Sequence, residues 1–358
     1  MKRLYRKAKR ALLVAVAVIS LLPQGLNGQI DGEFFRGGIN DGVKIIEAYM
    51  APWARAFGAG LNSGWYNTAK PHSFGGFDIT LTVSAGLVPE SHQSYDLAEL
   101  DFQNISLENP MAPTIAPTIS GSTNMGPAME SIDPNSGLQL ANFYAPAGTG
   151  LNFVPVPMIQ GGLGLPLGTE IKGRFIPKIA MDDSYISMWG FGLKHSIAQY
   201  IPGYEFLPYD ISLFGAYSKI EGKVPFDAKP GSYDNYTVYT ADSFSDQHML
   251  GVIDGWNASV IGSLNLPVVT LYGALGYAGS STVLDIVGNI PIPSVSGSTV
   301  VYVDDEVVTD IDKVEIQDFS GLRANVGVRL KFAIFTIHAD YTRSQYNVIS
   351  GGFGISFR

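Results

Sequence analysis

The side chains best suited to catalysis in this sequence are His338 and Asp340, which lie two positions apart. Residues two apart share one face of a β-strand, so an imidazole and a carboxylate would stand side by side there. A hydrolytic pair of this kind needs carboxylates across the site to hold a water, and Asp182-Asp183 are the candidates. A hydrogen-bonded pair with no catalytic role fits the same pattern, and we favour that interpretation.

Other signatures of catalysis are missing from the sequence. Lys194-His195-Ser196 places a histidine and a serine on opposite faces of a strand, and no Gly-x-Ser-x-Gly elbow occurs. The chain has no cysteine, which excludes thiolate nucleophiles, disulfides and cysteine-based zinc sites. We therefore expect no catalytic residue, no metal site and no cofactor, and we expect that the protein is not an enzyme.

Strict alternation predicts the elements that carry the polar residues. Phe335, Ile337, Ala339 and Tyr341 fall on one face of a strand, and His338 and Asp340 fall on the other. Two further segments alternate in the same way and place basic residues on their polar face. Buried unpaired charges would be costly in a soluble core but not in a polar lumen. The resulting candidates for the lumen lining are Glu170, Lys172, Arg174, Arg323, Arg329, His338 and Asp340.

The same alternation predicts an all-β fold, a transmembrane antiparallel β-barrel over residues 75–358. Counting from Phe77 gives ten strands, and two weak strands hidden in the span 89–150 would make twelve. Short turns such as 165–168 alternate with long connections at 221–247 and 279–319. This asymmetry is typical of periplasmic turns and extracellular loops, so we expect a cell outer membrane location with lipids around the barrel.

The N-terminal region combines a basic stretch, an apolar run of about a dozen residues and a small-residue cleavage site, which predicts a signal peptide over 1–28. Residues 29–74 then form a plug or a cap, built on one short helix over 38–60. Asn40 or Asp41 is expected to cap this helix, and Pro52 to kink it. The residues expected to face the barrel are Ile46, Met50, Trp53 and Phe57.

The charge of the chain limits its partners. The net charge is −9, and no basic run occurs outside the first ten residues. Binding of nucleic acid needs a basic surface, so we expect no nucleic-acid partner. The oligomeric state is left open by the sequence.

One stretch resembles a known group of proteins. Met188 to Ile197, followed by Tyr200-Ile201-Pro202-Gly203 and Leu207 to Ser212, is similar to an uncharacterised family of Gram-negative outer-membrane barrels. That family is distantly similar to the FadL-like outer-membrane transporters. The resemblance covers most of residues 30–358, and it implies a porin-like barrel of about fourteen strands with an N-terminal plug.

Two functions are compatible with these features. The first is a narrow channel or transporter for small solutes, hydrophobic or polar, across the outer membrane. The alternative is a structural or adhesive barrel that binds partners through its long extracellular loops. Large inward-facing side chains and the N-terminal helix favour a controlled lumen over an open pore.

Overall fold

A computed structural model describes residues 38–133, 135–226, 247–290, 293–297, 299–302, 308–310 and 313–357. The predicted signal peptide lies outside the described residues. Within these residues the architecture is one α-helix, α1 (Ile39–Leu61), and ten long antiparallel strands. The strands are β1 (Phe77–Leu87), β2 (Phe153–Leu165), β3 (Thr169–Met181), β4 (Ser184–Ser196), β5 (Tyr209–Pro225), β6 (His248–Asn265), β7 (Val269–Ile290), β8 (Val314–Phe332), β9 (Phe335–Arg343) and β10 (Val348–Phe357).

The ten strands close into a barrel. Each strand pairs with the next along the chain, and β1 also pairs with β10, from Phe77 opposite Phe357 to Gly86 opposite Val348. A closed ring satisfies every backbone hydrogen bond and leaves no free sheet edge. The ring confirms the predicted fold class, at the lower end of the predicted strand range and below the fourteen that the family resemblance implies.

The two faces of the barrel wall differ in chemistry. On β9, inward side chains are buried and outward ones exposed in strict alternation, as the sequence predicts. Large apolar side chains cover the outside, including Phe175, Trp189, Leu275, Val326 and Phe353. An exposed apolar surface of this extent requires a lipid environment. The chain is therefore an outer-membrane β-barrel.

The two ends of the barrel also differ. At one end the strands are joined by short turns at 166–168, 266–268 and 333–334, with a 12-residue connection at 197–208. At the other end lie the long connections 88–152, 226–247 and 291–313, together with two short turns at 182–183 and 344–347. Residues 227–246 of the predicted loop 221–247 lie outside the described residues, and 221–225 belong to β5. Because all the long connections are at this end, we assign it to the cell exterior. The strands extend further outward than predicted, because residues 279–290 and 314–319 belong to β7 and β8 and not to a loop.

The long segment 88–152 is more ordered than its composition predicts. Its described residues contain no barrel strand, and their five short strands form two small sheets. Leu97–Glu99 forms a 3₁₀ turn within this segment. The short strands are Ser94–Asp96, Ile105–Leu107, Ile115–Pro117, Ala128–Ile132 and Gln139–Tyr144.

Helix α1 runs without interruption through Pro52, so the predicted kink does not divide it. The predicted cap is wrong as well: Gly38 is the N-cap residue and gives no side-chain cap. Asp41 lies in the first turn and accepts hydrogen bonds from the backbone N–H groups of Gln103, Asn104 and Ile105. The carboxylate therefore fastens the helix to the segment 88–152. Within the described residues, no helix has the length and apolar character needed to cross a bilayer.

Candidate functional site

Helix α1 enters the barrel from the long-loop end, and its two halves pack in different places. Ile45, Ile46 and Met50 join an apolar cluster with the segment 88–152 and the outer ends of β7 and β8. Phe57 and Leu61 lie inside the ring, against side chains from most of the wall strands. Trp53 contacts both clusters. A helix segment that is apolar around its surface can be buried on all sides. The inner end is buried in this way, with every residue from Ala56 to Leu61 buried, whereas Asn40 in the outer half is exposed.

Residues 62–76 continue from the helix through the lumen to the start of β1. We call residues 38–76 the plug. Trp65 and Tyr66 pack against Phe214 and Tyr272, which project inward from β5 and β7. The lumen is therefore filled at this level by side chains of the plug and of the wall.

Two arginines from the wall hold the C-terminal end of α1. Arg174 on β3 donates to the carbonyl oxygens of Leu61 and Ser63, both at 2.6 Å. Arg323 on β8 donates to the carbonyl oxygen of Asn62, also at 2.6 Å. The last carbonyls of a helix have no partner within the helix and carry partial negative charge, so guanidinium groups stabilise them. We call this pair of arginines the clamp.

The clamp also has an aromatic contact. The guanidinium carbon of Arg174 lies 3.7 Å from the centre of the Trp65 ring, and its Nε donates to Gln160 at 3.2 Å. A desolvated arginine over an indole face gains cation–π stabilisation. Arg174 is thus satisfied on three sides despite its complete burial.

Below the clamp, wall side chains bind the backbone of the plug a second time. Lys194 donates to the carbonyl oxygens of Thr68 and Lys70, at 3.4 and 3.3 Å. Ser212 donates to the carbonyl oxygen of Ala69 at 2.6 Å. None of these contacts involves a side chain of the plug, so they hold the backbone of the plug in place.

A buried charge cluster lies at the short-turn end, where the plug meets the wall. Lys172 is 3.0 Å from Glu170 and 3.5 Å from Asp78. Lys194 is 3.0 Å from the other oxygen of Glu170, and the His72 ring nitrogen is 3.0 Å from Asp78. Glu170 also accepts from the backbone N–H of His72 at 2.9 Å. The cluster therefore joins β1, β3, β4 and the plug.

Three members of the cluster have the donor types of a metal site. Ligand atoms of His72, Asp78 and Glu170 lie within 4.8 Å of one another. However, the ammonium groups of Lys172 and Lys194 already lie on the same carboxylates. A divalent cation would face two positive charges at close range, so the cluster does not fit a metal.

The His338–Asp340 pair does not form a catalytic dyad. Asp340 accepts hydrogen bonds from Tyr272 and Asn325, at 3.0 and 2.8 Å. The only hydrogen-bond partner of His338 among the described residues is Thr82, at 3.5 Å. Asp182 and Asp183 form the turn between β3 and β4 at the opposite end of the barrel from His338. The geometry required for water activation is absent from this group of residues.

The structure places all the candidate lumen residues on the inner side of the wall, where each is buried. Arg174 and Arg323 form the clamp, and Glu170 and Lys172 belong to the charge cluster. Asp340 bonds Tyr272 and Asn325, and Arg329 lies opposite His338 on the neighbouring strand. Sequence reasoning missed Asp78 and Lys194, although each lies on the polar face of an alternating strand. It also missed Trp65 and Tyr66, because the segment around them has no periodicity that could have predicted their position.

The segment 88–152 carries a surface cavity at the long-loop end. Its volume is about 430 Å³, and its lining includes Pro113, Ile115, Pro117 and Met125. Ile115 and Met125 are exposed. Cavities of roughly 300–1,000 Å³ with apolar walls are typical of small-molecule sites.

Comparison with known protein families assigns the chain to one of them. Residues 1–357 match the model of a family of unknown function, DUF6588. The chain belongs to the DUF6588 family. No curated protein matches the sequence.

Solved barrels give weak matches to this DUF6588 protein. Outer membrane protease OmpT from Escherichia coli is 11% identical, with 81% of this chain and 98% of that chain covered and a TM-score of 0.30. The translocator domain of autotransporter NalP from Neisseria meningitidis is 11% identical, with coverage of 87% and 96% and a TM-score of 0.28. A Pseudomonas aeruginosa FadL homologue is 11% identical, with coverage of 86% and 96% and a TM-score of 0.21. Similarity at this level carries no argument about function.

Proposed function

We propose that this protein is a gated outer-membrane transporter for small solutes, hydrophobic ones first, and that the plug closes it at rest. The observation that carries the proposal is the way the plug is held. Arg174, Arg323 and Lys194 bind backbone carbonyl oxygens of residues 61–70 and are themselves buried.

Such a bonding pattern favours release over permanent closure. Burying charged groups is costly, and an apolar filling of the same volume is often equally stable or more so. A barrel whose lumen served only stability would need no arginine clamp. Hydrogen bonds to backbone carbonyls can be replaced by water without leaving a buried charge unpaired, so the plug can leave or shift as the lumen hydrates.

The size of the ring supports passage once the plug moves. Barrels of about eight strands are filled by their own side chains, whereas those of about sixteen or more hold an aqueous channel. Ten strands enclose a helix and its connecting segment here. Displacing these residues would leave a narrow path, which suits small solutes.

The external cavity in the segment 88–152 is the reason for proposing hydrophobic solutes before polar ones. Its lining is mostly apolar, and helix α1 packs against the same segment through Ile46 and Met50. A solute bound in this cavity would contact the segment 88–152, which packs against the outer half of the plug. This arrangement links solute binding to plug movement without requiring a second site.

An adhesive barrel is the second candidate function. It is favoured by the exposed apolar side chains Met111, Ile115 and Met125 on the ordered outer segment. In that case the segment 88–152 would bind a partner, and the plug would serve only to hold it in place.

A glycine substitution separates the two functions. A Cβ added at Gly86 of β1 would overlap the backbone carbonyl of Ala56, and a backbone atom cannot swing aside. Gly86→Ala should therefore push the plug away from the wall. The matched control is Gly215→Ala, where an added Cβ meets nothing within 4 Å.

We expect low conductance in planar bilayers from the wild type and from Gly215→Ala, and clearly higher conductance from Gly86→Ala. Liposome swelling in small neutral solutes should follow the same order. If Gly86→Ala folds, loses stability and still passes no ions or solutes, the transporter proposal is wrong and the adhesive function is favoured.

A further inference from the structure

A small cavity lies beside the charge cluster, between the plug and the wall. Asn67, Thr68 and His72 of the plug line one side, and the wall contributes Lys172 and Arg329, among others. The cavity volume is about 10 Å³. A single water needs roughly 10–15 Å³, so the cavity has room for one small species, a water or a monatomic ion.

The charges around this cavity do not balance. Lys172, Lys194 and Arg329 are cationic, whereas only Asp78 and Glu170 are acidic. Three cationic side chains against two carboxylates leave one surplus positive charge, before any charge on His72 is counted. The two lysines are paired with the two carboxylates, so the surplus charge belongs to Arg329.

Arg329 forms no direct ion pair with any residue that the structure describes, and the carboxylates of Asp78 and Glu170, which are already paired with lysines, act on it only from a greater distance. It is only 8% exposed, and its Nε is a buried donor without a hydrogen-bond partner. Its neighbour across the strand pair is His338, which supplies no negative charge. A buried guanidinium without a partner is costly, so some anion or ordered water must compensate it.

We propose that this cavity is a binding site for a monatomic anion, with chloride as the natural ligand class, held by Arg329 and Lys172. Phosphate and sulfate are too large for the space, and a divalent cation would add to the surplus positive charge. The bound anion would contact both plug and wall, so it would stabilise the closed barrel. The site requires only the closed barrel and does not depend on transport.

Unfolding of the full-length protein in detergent tests this site. Sodium chloride is compared with sodium gluconate at equal ionic strength, because gluconate cannot enter the cavity. We expect the wild-type midpoint to rise in chloride alone, by about 2–4 °C for each tenfold increase above the dissociation constant. Arg329→Gln should abolish the difference, and Arg343→Gln, at an exposed position on β9, should retain it.

Two results of this experiment would overturn the site. Equal midpoints in chloride and gluconate would mean that the cavity holds water. A chloride effect that persists in Arg329→Gln would place the anion elsewhere.

A structural measurement covers the case in which Arg329→Gln does not fold. Crystals of the wild-type protein grown with bromide should show an anomalous peak between Arg329 and Lys172. Absence of that peak, with bromide visible at other positions of the same crystal, would reject the site without any variant.

Discussion

Val326→Arg tests whether the outer face of the barrel is embedded in lipid. Val326 lies on β8, points outward and is 63% exposed. In a lipid-embedded barrel this substitution places a charge against hydrocarbon. In a soluble barrel it would place the same charge in water at almost no cost.

The depth of Val326 follows from the strand geometry. It lies six residues before Phe332, which ends β8 at the short-turn end. With a rise of about 3.3 Å per residue and a tilt of about 40°, Val326 lies about 15 Å from that rim. The apolar band of such barrels is about 25 Å tall, so Val326 is close to its middle. The substitution should therefore destabilise the barrel by about 2–4 kcal/mol.

The matched control is Leu322→Arg on the same face of the same strand. Leu322 is 80% exposed and lies ten residues before Phe332, which places it about 25 Å from that rim, at the opposite interface. An arginine there reaches the headgroups and should cost about 0–1 kcal/mol. Urea unfolding in lipid vesicles measures both free energies. Equal losses at the two positions would refute the assignment of this face to lipid.

Three further outcomes are expected. Deleting residues 39–61 should raise the bilayer conductance, because this helix fills the lumen; an unchanged, low conductance would mean that the remaining chain still closes it. Protease added to intact cells should cut within 88–152 and spare the turns 166–168 and 266–268, and the reverse pattern would invert the barrel. Burial and the nearby Arg55 lower the pKa of His92, which hydrogen-bonds Tyr346 at 2.7 Å. Because the folded state favours the neutral ring, acidification from about pH 7.5 to about pH 5 should destabilise this contact. The hydrogen-bonded backbone amides of Val88, His92 and Gln93 should then exchange faster after correction for intrinsic rates, and unchanged protection would contradict this coupling.

The sequence alone determined the barrel. Alternation is a local property with a period of two residues, so the apolar and polar faces of each strand can be predicted from the sequence of that strand. The face of β9 that holds His338 and Asp340 follows directly from it. Turn lengths and strand number are likewise local, and ten strands could be counted from Phe77 onward. The helix was predictable from its spacing, with its ends within a residue of those observed.

Only the tertiary structure decided what the lumen contains. Alternation places Thr336 and Arg329 inside but cannot show that the plug fills the space before them. The clamp joins Arg174 and Arg323 to residues more than a hundred positions earlier in the chain. Such contacts depend on ring closure and on the path of residues 62–76, which have no periodic pattern. Local sequence sets the face of each side chain, whereas packing between distant segments sets its partner.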